Sequence, residues 1–197
     1  MELLANKYRP TSLDDVVGQK HLIGPNKILS NMVQNKKLFS MILYGKPGIG
    51  KTSIAWALVN SYDKKYKFLN ATSSKKEDFI IAIEEAKMYG DLILVIDEIH
   101  RMNKDKQDIL LPYIETGIII LIGLTTSNPY HKINPAIRSR CQIFELKPLV
   151  LDDVVECLRK VAIKENFTVD DETLFAIAKL SSGDVRTAIN TLDVASM

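Results

Sequence analysis

Cysteine is scarce in this chain: two residues, Cys141 and Cys157, among 197. Two thiols make no disulfide framework, and no Cys/His spacing matches a zinc site. Long apolar runs are absent as well, since none approaches the ~18 residues of a membrane span. Residues 1–10 lack the apolar h-region of a secretory signal. These absences point to a cytoplasmic protein without a membrane partner. Charge of one sign is also lacking. Lys+Arg 26 against Asp+Glu 24 leaves a net charge of +2, without the strongly basic footprint of a tight, autonomous DNA binder. What is present is the composition of an ordinary globular protein, 46% hydrophobic and 25% charged. The length suits one large domain, or one with a small companion.

The most informative stretch is Gly45-Lys46-Pro47-Gly48-Ile49-Gly50-Lys51-Thr52, which fits Gly-x-x-x-x-Gly-Lys-[Ser/Thr]. Met41-Ile42-Leu43-Tyr44 supplies an apolar strand in front of it, and Ser53 opens a helical stretch that runs on to Val59. A loop joining strand to helix must bend sharply, and Gly48 and Gly50 permit positive φ there at no steric cost. Its N–H groups then face inward at the positive end of a helix dipole, a cradle for phosphate oxygens. Gly45, Pro47, Gly48, Ile49, Gly50 and Ser53 are the expected backbone of that cradle. Lys51 is expected to neutralise the β- and γ-phosphates of a bound ATP, and the Thr52 hydroxyl to ligate Mg²⁺.

A second signal follows. Leu92-Ile93-Leu94-Val95-Ile96 is a continuous apolar run suited to a strand buried on both faces, and it leads directly into Asp97-Glu98. Acidic residues at the carboxyl end of such a strand sit where ligands bind in open α/β sheets. Asp97 is expected to hold Mg²⁺ through water, and Glu98 to orient and activate the attacking water. Binding alone needs no such glutamate, so its presence argues for hydrolysis.

Between residues 38 and 146 strand patterns alternate with helical ones, which predicts a parallel five-stranded α/β sheet. The strands are expected at 40–44, 66–70, 92–96, 118–124 and 142–146, with helices at 52–60, 77–88 and 104–115. Pro148 marks a change of character. After it come helical patterns at 152–164, 171–180 and 184–196 and no strand, so residues 149–197 are expected to form a small helical domain behind a nucleotide-binding domain of residues 1–148. The last helix carries Val185, Ala188, Ile189, Leu192 and Ala195 on one stripe that is unfinished at Met197, which suggests a chain that naturally continues.

A P-loop sheet followed by a helical lid resembles the AAA+ ATPases, and further motifs match residue by residue. Tyr8-Arg9-Pro10, followed by Asp14-Asp15-Val16-Val17-Gly18-Gln19, resembles the segment that wraps the adenine in clamp loaders. Leu124-Thr125-Thr126-Ser127-Asn128-Pro129 looks like sensor 1, with Thr126 at the position that feels the γ-phosphate and Asn128 as the alternative bearer of that role. Ser139-Arg140-Cys141 matches the clamp-loader Ser-Arg-Cys, whose arginine reaches into the neighbouring subunit; Arg138 lies outside that frame. Gly183-Asp184-Val185-Arg186 looks like sensor 2, with Arg186 on the lid. Gly18-Gln19-Lys20-His21-Leu22-Ile23-Gly24, Asp97-Glu98-Ile99-His100-Arg101 and Phe144-Glu145-Leu146-Lys147-Pro148-Leu149 resemble the replication-associated recombination protein A (RarA/MgsA) family, related to the Werner-helicase-interacting ATPase. Two positions depart from the family pattern: Lys46 stands where proline is common, and Ser127 where glutamate is.

The resemblance implies ATP and Mg²⁺ as cofactors and a homo-oligomer in which Arg140 acts in trans. It also implies work at stalled replication forks on single-stranded, gapped or forked DNA, in company with single-strand-binding protein, in the nucleoid. Two other readings share the motifs: a Holliday-junction branch-migration motor, and a nucleotide-dependent scaffold that does not hydrolyse. No chemistry is assigned to His100. Cys141 and Cys157 are expected to be small buried hydrophobes. The lysines at 64, 65, 67, 75 and 76 are expected to be solvated loop faces.

Overall fold

In the computed structural model, which describes residues 3–196, five strands form one parallel sheet. They are β1 (Met41–Tyr44), β2 (Tyr66–Asn70), β3 (Leu92–Asp97), β4 (Ile119–Thr125) and β5 (Gln142–Glu145), in the order β2-β3-β4-β1-β5. The three inner strands are apolar because both of their faces are covered. Along β3, Leu92, Leu94 and Ile96 enter one core while Ile93 and Val95 enter the other, the period of two that a pleated strand imposes. Helix α3 (Lys51–Asn60) packs on the face of Ile93 and Val95, and α4 (Lys76–Tyr89) and α5 (Lys104–Glu115) on the face of Leu92, Leu94 and Ile96.

Gly123 interrupts the large side chains of β4. A Cβ there would lie 2.8 Å from Ile99 Cδ1 and 3.5 Å from Ile42 Cγ1. The missing side chain lets the turn after β3 press directly onto the sheet, with Ile99 1% exposed.

Beyond the sheet, α8 (Leu151–Glu165), α9 (Asp171–Leu180) and α10 (Val185–Ala195) form a helical lid around their own core. Asp170 caps α9 by accepting from Thr173 N–H at 2.7 Å, and Asp184 caps α10 by accepting from Thr187 N–H at 3.0 Å. The amino-terminal helix α1 (Leu4–Lys7) joins this core through Leu4, and the Tyr8 hydroxyl donates to the Glu165 carboxylate at the end of α8. The segment before the sheet therefore rests on the lid.

The parallel five-stranded sheet and the helical lid expected from the sequence are both present, with element ends moved by a residue or so. The strand expected at 118–124 is Ile119–Thr125, which brings Thr125 into the sheet. Three short helices were not anticipated beside α1: α2 (Ile28–Gln34), α6 (Pro129–Lys132) and α7 (Pro135–Arg138). Helix α2 starts without a side-chain cap, so the sequence gives no start signal. The other two each begin with an Asn cap followed by Pro, a signal too brief to establish a period. Met197, where the expected stripe is left unfinished, lies outside the described residues.

Candidate functional site

All five strands run the same way, so their carboxyl ends form one edge of the sheet. Tyr44 sits opposite Thr125 and Asn70 opposite Asp97 in register. The loop between β1 and α3, the acidic pair after β3 and the turn after β4 therefore share that edge. Gly45 N–H donates to Thr125 O at 3.2 Å, tying the loop to β4.

The loop takes the conformation its glycines permit: φ is +74° at Gly48 and +108° at Gly50. Gly50 caps α3 with no side-chain bond, which leaves the first N–H groups of that helix for an anion. The Lys51 ammonium donates to Gly45 O at 2.7 Å and to Lys46 O at 2.6 Å. Burial pulls its pKa below the usual lysine value, opposed by the carboxylates of Asp97, Glu98 and Asp184. A cation partly stripped of water and held by backbone carbonyls is suited to a polyanionic ligand.

Beside the loop lies a cavity of about 210 Å³. Its floor is Gly48, Ile49, Gly50, Lys51, Thr52 and Ser53, and Tyr8, Arg9, Pro10 and Val17 wall it from the amino-terminal segment. Arg186 and Ile189 of α10 close it from the lid. Arg9 lies over the Trp56 ring at 5.6 Å, and Trp56 stacks on Phe68 at 4.2 Å, so the cavity wall is braced from behind. Gly18, Gly45 and Pro47 are not among the walls. Gly18, at φ +66°, instead admits Leu149, whose Cδ2 would lie 2.6 Å from a Cβ at that position.

Asp97 and Glu98 are half-buried at the end of β3. Glu98 has a left-handed backbone, φ +52°, and its N–H donates to Asp97 Oδ1 at 2.9 Å. Thr126 is exposed in the turn after β4; Asn128 is exposed too, and its Oδ1 accepts from Tyr130 N–H at 3.0 Å as the cap of α6. Among the described residues no three His, Cys, Asp or Glu cluster as a metal cage. Thr52 and Asp97 carry oxygen donors, the ligand type that Mg²⁺ takes alongside phosphate and water.

Arg140 stands apart from this edge. It precedes β5, and Gln142 N–H donates to Ser40 O beside the amino end of β1, so the arginine lies at the opposite edge of the sheet. It pairs there with Glu115 at 2.5 Å and donates to Ala136 O at 2.9 Å.

Several participants were not singled out by the sequence. Gln19 is buried and donates to Ile49 O at 3.1 Å and Lys147 O at 2.9 Å while accepting from Lys147 N–H at 3.0 Å, clamping the loop to the entry of the lid. Asp184 presses on Gly48: a Cβ there would lie 2.1 Å from Asp184 Cγ, and Val185 N–H donates to Gly48 O at 3.2 Å. His100 lies against Glu98 and Thr125. Cys157 lines the cavity, its thiol pushed by burial to about 11, whereas Cys141 is buried and pushed to about 12. Of the lysines, Lys64 pairs with Asp91, Lys67 with Glu85, and Lys65 lies over the Tyr89 ring.

Comparison with known proteins agrees with the fold. Residues 8–136 match the family model described as the Holliday junction DNA helicase RuvB P-loop domain, and residues 156–197 match that of an RCF1/5-like AAA+ ATPase lid domain. The chain is 50% identical to the replication-associated recombination protein A of Bacillus subtilis, over 99% of its own length and 48% of that protein's. It is 38% identical to ATPase WRNIP1 of Dictyostelium discoideum, over 98% of the chain and 23% of that protein. It thus spans about half the length of the bacterial relative. Among solved structures, the Thermotoga maritima RuvB Holliday junction branch migration motor superposes with a TM-score of 0.80 at 27% identity, covering 94% of this chain and 64% of that one.

Proposed function

Because this chain belongs to the AAA+ ATPase family of replication-associated recombination protein A and WRNIP1, we propose that it binds ATP with Mg²⁺ and hydrolyses it when assembled. The observation that carries the reading is the meeting, at one sheet edge, of a glycine cradle, a partly desolvated Lys51 and the Asp97-Glu98 pair. Residues 1–148 hold the phosphates and residues 149–197 close over them. The base lies against Tyr8, Arg9, Pro10 and Val17, and Gly48 to Ser53 cradle the phosphates.

Mg²⁺, held by Thr52 and Asp97, would neutralise charge on the β- and γ-phosphate oxygens. Glu98 accepts the proton of the attacking water. Thr126 orients that water, with Asn128 the alternative. Lys51, Arg186 and Arg140 of a neighbouring copy stabilise charge on the transferred phosphoryl group. The similarity to replication-associated recombination protein A supports work in DNA replication and recombination, and our reading adds a homo-oligomer in the cytoplasm. Single-stranded, gapped or forked DNA and single-strand-binding protein are the partners this reading names.

Branch migration at four-way junctions is the second reading, favoured by the RuvB-type P-loop domain. The higher identity to the recombination protein over nearly the whole chain ranks it second. A purely binding scaffold would have no use for Glu98.

The test is ATP binding and steady-state turnover, with and without single-stranded, gapped and four-way-junction DNA. Lys51→Ala should lose nucleotide binding, whereas Glu98→Gln should retain ATP and stop hydrolysis. Unchanged affinity in the first variant refutes the phosphate cradle. Normal turnover in the second removes Glu98 from the chemistry.

A further inference from the structure

His100 is the residue the proposed chemistry leaves unused, and it is enclosed: its side chain is 11% exposed. Its two ring nitrogens face different elements. Nε2 stands 3.3 Å from Glu98 Oε2, and Nδ1 stands 2.8 Å from Thr125 Oγ1 on β4. Thr125 is itself 1% exposed, and its hydroxyl oxygen accepts from Ser127 N–H at 3.0 Å.

The partners fix the direction of this chain of contacts. A carboxylate only accepts, so in the neutral imidazole the proton belongs on Nε2, facing Glu98. Nδ1 is then a lone pair. The Thr125 hydroxyl has two acceptors in reach, Nδ1 at 2.8 Å and Ser127 O at 3.2 Å, and donation to the nearer, Nδ1, leaves its oxygen to accept from Ser127 N–H. The line runs from Ser127 N–H through Thr125 Oγ1–H and His100 Nε2–H to Glu98. It joins residues 25 apart in sequence. Thr126 lies between the two residues that begin it.

We infer that His100 is a positioning residue for Glu98, holding the carboxylate in an orientation set by the Thr125-Thr126-Ser127 turn through the Thr125 hydroxyl. Glu98 needs such a hold. Its backbone is left-handed, its N–H is spent on Asp97, and its side chain is a third exposed. A contact of 3.3 Å is longer than a good hydrogen bond, as catalytic contacts often are before the substrate arrives. Any shift of the turn that follows γ-phosphate contact at Thr126 moves Ser127 N–H and the Thr125 hydroxyl, and so the imidazole and Glu98. The inference rests on the reading of Glu98 as the water-activating carboxylate.

The experiment compares Glu98→Gln, His100→Ala, Thr125→Val and Thr125→Ser in the assembled ATPase by single-turnover hydrolysis and by ATP affinity. His100→Ala and Thr125→Val should each slow the chemical step by about tenfold or more, the scale typical of lost outer-shell partners, with affinity little changed. The double variant should be no slower than His100→Ala alone, and Thr125→Ser should regain most of the rate. Wild-type hydrolysis in His100→Ala beside a dead Glu98→Gln overturns the inference and leaves the glutamate's role standing. Normal turnover in Glu98→Gln overturns that role itself. A second measurement guards against variants that misfold. The imidazole ¹⁵N spectrum of the unmodified chain should show His100 protonated on Nε2 with Nδ1 bare, and a proton on Nδ1 instead would overturn the proposed line.

Discussion

Gly48 carries two demands at once, a positive φ and the absence of a Cβ. Its φ of +74° is a region where an L side chain costs roughly 1–3 kcal/mol. Its missing Cβ also leaves the space that the Asp184 carboxylate occupies, with Cγ only 2.1 Å from the Cβ site. Asp184 in turn caps α10, the helix that carries Arg186. A single methyl on the loop should therefore push the lid away, breaking the Val185–Gly48 backbone bond and moving Arg186 off the cavity. Gly48→Ala is expected to weaken ATP binding about tenfold, or 1.4 kcal/mol, measured by calorimetric titration. Adding Asp184→Gly should recover part of the loss, because glycine is itself a tolerable helix cap and vacates the space. Equal affinity in Gly48→Ala and the parent would mean that the lid contact contributes nothing to binding. The two halves of this contact differ in how they appear in sequence. Gly48 is legible because its motif has a fixed spacing, while Asp184 is legible only as a helix cap, since its approach to Gly48 depends on how the lid folds back.

At the scale of elements, the inner strands were readable because burial on both faces forces a continuous aliphatic run. The helices α5 and α9 were readable to the residue from their apolar spacing. The edges were harder. Whether Thr125 ends β4 or begins the following turn is set by its pairing with Tyr44, a tertiary fact that leaves no local mark. The same pairing hid the Thr125–His100 contact, and a lone histidine after an acidic pair has no periodicity to betray it. Gly123 shows the converse, a local oddity whose meaning is tertiary. A glycine in an apolar strand weakens it, yet here it admits Ile99 and so seats the turn that carries Glu98 and His100. Gly123→Val is expected to destabilise the fold by about 1–3 kcal/mol through overpacking. Thermal unfolding should then begin about 2–4 °C lower for each kcal/mol lost. Gly123→Ala should cost less, since one carbon meets Ile99 where Val brings three. Hydrolysis should fall in both variants by more than the lost folded fraction explains, because Ile99 must move and Glu98 moves with it. A Gly123→Val protein with unshifted unfolding would show that β4 has room there and that Ile99 is seated by something else.

At the scale of the whole molecule, a parallel sheet has two unlike edges, and the proposed catalytic groups are divided between them. The phosphate cradle follows the carboxyl end of β1, whereas Arg140 lies beside its amino end. Four residues of strand rise about 13 Å, and the arginine is turned away and paired with Glu115. No side-chain rotation closes that gap, so within one copy Arg140 does not reach a nucleotide on Lys51. Its salt bridge is largely exposed, with side chains 39% and 40% accessible, and such pairs contribute little stability. Pairing with Glu115 therefore does not explain why an arginine stands there, whereas the proposed role at a partner's nucleotide would. A finger of this kind is worth ~10³–10⁵ in rate where it has been measured. The isolated chain should accordingly bind ATP and turn it over slowly, and Arg140→Ala should leave that binding intact. The decisive outcome comes from mixing two inactive proteins. Arg140→Ala keeps its own cradle and lacks the finger, while Lys51→Ala keeps the finger and lacks the cradle. In mixed assemblies the first should be served by the second, so hydrolysis should reappear when the two are combined and peak at intermediate ratios. If the mixture stays as inactive as either variant while the subunits demonstrably exchange, Arg140 does not act across a subunit boundary. The charge it was assigned to neutralise must then be met from within the same copy, where Arg186 on the lid lines the cavity together with Lys51 and Arg9.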